Sequence, residues 1–314
     1  MYSFKYKDYK DKEKKLFVFL PAEMKYDFDF IDAIAEFMEK VEESEYKEVL
    51  VCGEKEMSSL DKMCAAYLLN TLYFLARRRN IYVKKDINKI FHEKVSHSDG
   101  GNFNRIDVGI DSVSTIQQCY NISDDKNVDQ TVQILVDFIL EHNLFLNNAK
   151  EFLITTIGEI FSNAFIHSDE NKIFFMYDIT WEKDEISLLI NVTDYGKTII
   201  HNVRKYQEKY CDREMESSEC INWALGEGNT TRQGSGGYGL PTLIDYVTKI
   251  SGEMFIFTGD SVYILSKGRG RVCGSKGNFY GTSITMRIPL FNTSKALMYD
   301  EKNDKIISIN LDQL

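Results

Sequence analysis

Glu159-Ile160-Phe161-Ser162-Asn163-Ala164-Phe165-Ile166-His167 is the stretch on which the reading of this chain turns. Glu159, Asn163 and His167 stand at i, i+4 and i+8, a spacing that puts all three on one face of a helix. Ile154, Ile157, Ile160, Phe161, Ala164 and Phe165 supply an apolar face. A polar stripe on an otherwise core-facing helix describes one wall of a cleft. The residue types suit nucleotide hydrolysis. A carboxylate orients or deprotonates a water, an amide oxygen is a hard ligand for Mg²⁺, and a histidine one turn later can donate to phosphate. Taken alone, the triplet also describes a solvated helix face, so the sequence that follows carries the weight.

Residues 186–192 read as a buried strand rich in branched apolar side chains, and Asp194 lies just past its end. A carboxylate there can accept a hydrogen bond from an exocyclic amine such as that of adenine, and Gly196 would let the backbone approach a flat ring. By itself this is also an ordinary Asp-Gly turn. The run Gly234-Ser235-Gly236-Gly237-Tyr238-Gly239-Leu240 matches G-x-G-x-x-G. A dinucleotide fingerprint requires a strand immediately before it and an acidic residue about 20 positions on. Here residues 222–233 are polar and loop-like, and 240–250 read as a helix. The run is therefore a loop entering a helix N-terminus, itself a phosphate site. A Walker-type lysine loop is absent.

In this order, the motifs resemble those of the GHKL superfamily of gyrase, heat-shock chaperone, histidine kinase and MutL ATPases. Glu159-x-x-x-Asn163-Ala164 is similar to its asparagine box, and the ending in His167 to the form found in anti-sigma-factor kinases. Asp194-Tyr195-Gly196 is similar to the first glycine box, Gly237-Tyr238-Gly239-Leu240 to the second, and Gly281-Thr282 to the last. The resemblance covers residues 127–290. It implies ATP and Mg²⁺ as ligands, Glu159 as base, Asn163 as metal ligand, and Asp194 with Thr282 at the adenine. His167, Gly196, Gly234, Gly236, Gly237, Tyr238, Gly239 and Leu240 would complete the binding site. Two departures stand out: Thr198 occupies the place of a glycine in the first box, and Ser235 that of a glycine in the second.

Composition bounds the rest. The chain has 314 residues, 43% hydrophobic with three prolines, which suits two globular domains. A net charge of −10 argues against a general nucleic-acid binder. Cys52, Cys64, Cys119, Cys211, Cys220 and Cys273 are scattered without C-x-x-C pairs, the pattern of reduced thiols in a cytoplasmic protein. No apolar run approaches the ~20 residues of a membrane helix, and 16–20 reads as a strand.

The expected fold class is α/β, with an α+β sandwich of helices on one face of a mixed sheet at 127–314, preceded by a small α/β domain at 1–115. In the latter, strands at 16–20, 48–52 and 81–84 alternate with helices at 30–41 and 59–78. The segment around Val49, Ser58, Ser59 and Leu60 weakly resembles a STAS-type regulatory domain, although Ser59 reads as a helix cap rather than a phosphorylation site. Residues 93–126 read as a polar connector. Helices are expected at 128–143 and 147–168, and strands at 172–177, 186–192, 254–257, 261–265 and 282–288. Under the resemblance, 197–233 is a mobile ATP lid, in which Arg232 is either a γ-phosphate sensor or a solvated side chain and Trp223 a packing anchor.

Three functions compete. The leading one is an ATP-binding, slowly hydrolysing conformational switch of bacterial signalling, with a regulatory protein partner and no membrane; a homodimer is compatible with it. The second is a serine kinase of anti-sigma type, favoured by His167 and the STAS-like segment. The third is a non-hydrolysing nucleotide-binding module, favoured by Thr198 and Ser235 and opposed by Glu159. His92-Glu93 does not sit where a sensor kinase would place its phosphoacceptor, and no transducer-sized segment follows the last expected strand.

Overall fold

The computed structural model describes the chain apart from residues 1–3, 10–13, 22, 54–58, 61, 87–90, 98–102, 111–115, 123–127, 142–149, 169–172, 183–184, 211–213, 232–235, 293–294, 301–304 and 311–314. It is an α/β protein. The N-terminal part begins with β1 (Lys5–Tyr9), β2 (Lys15–Leu20) and the short β3 (Glu23–Met24), then α1 (Phe28–Glu42) and β4 (Glu48–Gly53). After β5 (Ser59–Leu60) come α2 (Lys62–Arg79) and β6 (Tyr82–Asp86). Strands β1, β2, β4 and β6 form a mixed four-stranded sheet in that order, antiparallel at β1–β2 and parallel thereafter. Ser59 pairs with Glu23 in a two-stranded ladder and α2 starts three residues later, so the expected helix cap is instead a strand residue.

Asp27 caps α1, its Oδ1 accepting the Phe30 N–H at 3.0 Å. Phe30, Ile31, Ala33, Ile34, Ala35, Phe37, Met38 and Val41 are all buried, and so is Asp32. A helix buried nearly all round must be covered on two sides. The reason is that α1 and α2 share one apolar core with β2, β4 and one face of a second, larger sheet.

The larger sheet opens with β7 (Phe91–His97), β8 (Phe103–Ile110) and β9 (Ile116–Ile122), followed by helices α3 (Val128–Glu141) and α4 (Lys150–Ser168). Then come β10 (Ile173–Glu182), β11 (Glu185–Asp194), α5 (Ile199–Gln207), α6 (Ser217–Ala224) and α7 (Gly239–Lys249). The strands β12 (Glu253–Ser266), β13 (Arg269–Asn292), β14 (Lys295–Asp300) and β15 (Lys305–Asn310) complete it. Its order is β15-β14-β13-β11-β10-β9-β8-β7, with β12 on β13, and every described pairing in it is antiparallel. The stretch 93–126, expected as a connector, therefore contains strands of this sheet. Its polar alternation hid them, because strand pairing depends on distant partners more than on local composition.

The sheet has two working faces, separated residue by residue. Ile173, Phe175, Leu188, Ile190, Val192, Ile284 and Met286 join α3, α4, α5, α6 and α7 in one core. Phe174, Met176 and Leu189 point the other way and join α1 and α2. This is the period-two alternation of a strand covered on both sides. The face toward α1 and α2 is unusually polar at its centre. Asn191, fully buried, donates to Ser283 Oγ (3.0 Å), Thr285 Oγ1 (3.0 Å) and the Ile284 carbonyl (3.3 Å), and accepts from Thr193 Oγ1 (2.9 Å). Tyr26 reaches Thr285 Oγ1 at 3.0 Å from the N-terminal side. Asp32 of α1 accepts the Lys276 N–H at 2.7 Å from the middle of β13.

Candidate functional site

Six elements, α4, β11, β13, α5, α6 and α7, converge on a cavity of about 460 Å³ on the face of the sheet that carries α4. The size is that of a small-molecule site. Helix α4 lends Glu159, Ile160, Asn163 and Ala164 to its lining. Ile160 and Ala164 are spaced i, i+4, as are Glu159 and Asn163, so two adjacent helical strips face the space, one apolar and one polar. The strands supply Val192 and Asp194 from β11, and Thr282 and Ile284 from β13. Asp194 and Thr282 are direct cross-strand partners, as are Val192 and Ile284. The cavity thus has an apolar floor with one buried carboxylate at its edge.

Asp194 is only 3% exposed. One of its carboxylate oxygens accepts the Gly196 N–H at 3.0 Å, which fixes the turn that leaves β11. Thr258 accepts the Ile199 N–H at 2.9 Å and sits 3.4 Å from Thr282 Oγ1. These contacts join the start of α5 to the strand pair beneath the site. Gly281, at φ +134°, is where β13 crosses this corner: a Cβ there would collide with the Asp194 carbonyl oxygen and lie 2.7 Å from Tyr195 Cα. Only glycine admits both that backbone conformation and that approach.

Gly236, Gly237, Tyr238, Gly239, Leu240 and Pro241 also line the cavity. The Gly228 N–H bonds the Gly237 carbonyl at 3.0 Å, closing the loop that delivers the chain to α7. The N-cap residue of α7, Tyr238, makes no side-chain cap bond. The first N–H groups of the helix and the positive end of its dipole therefore lie at the cavity, where an anion is favoured. Pro241 costs nothing in this first turn. Gly239 runs directly against α4: a Cβ on it would strike Glu159 Oε2 and lie 3.5 Å from Asn163 Nδ2. The acid, the amide and the helix N-terminus are thereby in one place. Chemically, the site suits a ligand with a flat apolar head bearing a hydrogen-bond donor and an anionic tail.

Nine of the sequence-derived residues thus line one cavity: Glu159, Asn163, Asp194, Gly236, Gly237, Tyr238, Gly239, Leu240 and Thr282. Gly196 is not in the lining; it acts through its hydrogen bond to Asp194. His167 belongs to α4, but its side chain lies outside the described part, as do Gly234, Ser235 and Arg232. Thr198, in the place of a glycine, has φ −75° and caps α5 by accepting the His201 N–H at 3.0 Å. No left-handed backbone is needed there, so the departure gains a helix cap at no conformational cost.

Two of the described residues' helices, α5 and α6, lie inside the segment expected as a mobile lid. Ile200, Val203, Cys220 and Ile221 are buried in the core of the α4 face. Arg204 ties the two helices by donating to the Met215 carbonyl (3.0 Å) and Ser217 Oγ (3.2 Å). They place Asn202, Val203, Trp223 and Ala224 in the cavity wall. Trp223 packs on Tyr206, with ring centroids 5.4 Å apart, and its carbonyl accepts from Asn229 Nδ2 at 2.8 Å. Among the described lining residues Lys197 is the one cation. Val192 and Ile284, missed in the sequence, were findable: each is two residues from a named site residue on the same strand, hence on the same face.

Comparison of the chain with family models and with curated proteins returned no match. Among the described residues no cluster of three or more acidic, histidine or cysteine side chains could hold a metal by itself. No described helix is long and apolar enough to cross a membrane.

Proposed function

We propose that the protein binds Mg-ATP in this cavity and hydrolyses it slowly, with the bound nucleotide acting as a conformational switch, as in the GHKL superfamily its motifs resemble. One observation carries the reading: Glu159, Asn163 and the start of α7 meet in a cavity that buried Asp194 and its cross-strand partner Thr282 also line. An adenine ring fits between Ile160, Ala164, Val192 and Ile284, its amine donating to Asp194. The N–H groups of Gly239 and Leu240 receive phosphate oxygens. Glu159 orients the attacking water and draws its proton. The Asn163 amide oxygen would be the protein ligand to Mg²⁺, which would supply charge neutralisation at the phosphates. Lys197 adds the remaining positive charge at the cavity. We assign the protein to the cytoplasm on its dispersed cysteines, of which Cys52, Cys64, Cys220 and Cys273 are free thiols.

Phosphate release from Mg-ATP by the wild type and by Glu159→Ala tests this. Release by the wild type that falls at least about 100-fold in the variant, an effect in the range of lost general-base catalysis, is the expected result. Equal release by both proteins would remove Glu159 from the mechanism. Transfer of the γ-phosphate to protein, followed with labelled ATP, would redirect the reading to a kinase.

A further inference from the structure

Asp194 and Tyr195 are neighbours in sequence that serve opposite faces of the sheet. Asp194 lines the cavity on the α4 side. Tyr195 is 4% exposed and lies in the core shared with α1 and α2. Its ring stacks on Phe74 of α2, centroids 4.4 Å apart and planes 11° from parallel, and is enclosed by Phe174 and Phe279. Its hydroxyl is 3.1 Å from Thr71 Oγ1, while Thr71 Oγ1 in turn donates to the Tyr67 carbonyl at 3.0 Å. Since the threonine's one proton is committed to that carbonyl, the Tyr195 phenol is the donor to Thr71. A directed chain therefore runs from Tyr195 into the backbone of α2. Gly281 passes so close that a Cβ on it would collide with the Asp194 carbonyl oxygen and lie 2.7 Å from Tyr195 Cα, so β13 packs directly against the peptide that joins the two residues.

We propose that Tyr195 is a positioning residue for the base-reading carboxylate, and that α2 of the N-terminal part is thereby a working component of the nucleotide site. This rests on the ATP reading above. The phenol's hold on Thr71 and Phe74 fixes the peptide that aims Asp194. Seating of α2 and recognition of the adenine amine are one coupled equilibrium. Whatever loosens α2 weakens ATP, and by linkage ATP tightens α2. The polar layer formed by Asn191, Thr193, Ser283 and Thr285 between α1, α2 and the sheet suits such a contact, since interfaces between parts that separate are more polar than a permanent core.

The test uses the full chain with Tyr195→Phe, which removes only the phenol oxygen, and Thr71→Val, which removes its acceptor. Binding of ATP is compared with binding of inosine triphosphate, which lacks the amine that Asp194 reads. Each variant is expected to bind ATP about threefold to tenfold more weakly, the range of one hydrogen bond, and the double variant no more weakly than either, because the two share one contact. Inosine triphosphate affinity should stay unchanged. In the wild type, ATP should slow hydrogen exchange at α2 amides. Equal losses for both nucleotides, or unchanged ATP affinity together with unaltered exchange in α2, would overturn the inference while leaving ATP binding intact. A wild type that binds neither nucleotide would overturn the ATP reading and this inference with it.

Discussion

Gly239→Ala separates what the site does from what holds the fold. Gly239 is the first residue of α7 and has no positive φ, so alanine meets no backbone penalty there. Its Cβ, however, would overlap Glu159 Oε2 and lie 3.4 Å from Glu159 Cδ. Glu159 is exposed to the cavity and its carboxylate ends a flexible side chain, so it can retreat. To regain ordinary contact the oxygen must move by about 1 Å, and a misplacement of that size costs on the order of 10²-fold in rate. The stability terms nearly cancel: alanine in place of helical glycine contributes up to about 1 kcal/mol, against a small cost for displacing the carboxylate. The expected result is a urea unfolding free energy within about 1 kcal/mol of wild type, with phosphate release down on the order of 100-fold. Release at the wild-type rate would refute the placement of Glu159 as the acting base. A large loss of stability would refute the claim that only a movable carboxylate stands in the way.

Other parts of the structure make equally definite demands. Asn191→Leu removes a buried amide that four neighbouring polar groups use, and should cost about 2 kcal/mol in urea unfolding, because only the Thr193–Ser283 and Tyr26–Thr285 bonds of this layer remain when the amide is lost; a neutral outcome would mean the layer is dispensable. Thr198→Ala should lower stability by about 1 kcal/mol through loss of the α5 cap, whereas Thr198→Gly should cost only a few tenths; no loss in Thr198→Ala would show that the hydroxyl does not cap. Burial raises the Asp27 carboxyl above its usual range, against the lowering effect of the Phe30 N–H it accepts, and nearby Asp29 raises it further. Its folded form therefore favours the proton: its contribution to stability is full below the ordinary carboxylate value and is lost as pH rises through the raised folded value. Asp27→Asn keeps the cap without the charge, so the variant should be the more stable protein at neutral pH and should lose that advantage in acid; an advantage that persists unchanged in acid would refute the sign.

The elements that were legible from the sequence are those with a local signature. Helix α4 announced itself through paired i, i+4 positions, and β11 through a run of branched residues ending at Asp194. The glycine run before α7 announced a loop entering a helix. Helices α5 and α6 were not legible in the same way, because in a segment dominated by charged and polar residues they bury only Ile200, Val203, Cys220 and Ile221. The length of β13 was hidden by its glycines, which ordinarily weaken a strand. Here Gly270 makes room for the Tyr263 ring, and Gly277 lets the strand pass against the α1 backbone at Ala35 and Glu36. Those partners lie far away in sequence, and so does the reason for Tyr195: a tyrosine between Asp194 and Gly196 looks like a turn residue until α2 is seen to enclose it.

The most direct test of the central claim is calorimetric titration of Mg-ATP into the wild type and Asp194→Asn. The asparagine can satisfy the Gly196 N–H with its single oxygen, but it then presents an NH₂ group where Asp194 presents an acceptor to the adenine amine. Binding by the wild type that weakens at least about tenfold in the variant, as expected when a buried donor meets a donor, is the predicted result. Absence of ATP binding by the wild type, or equal affinity in the two proteins, would contradict it.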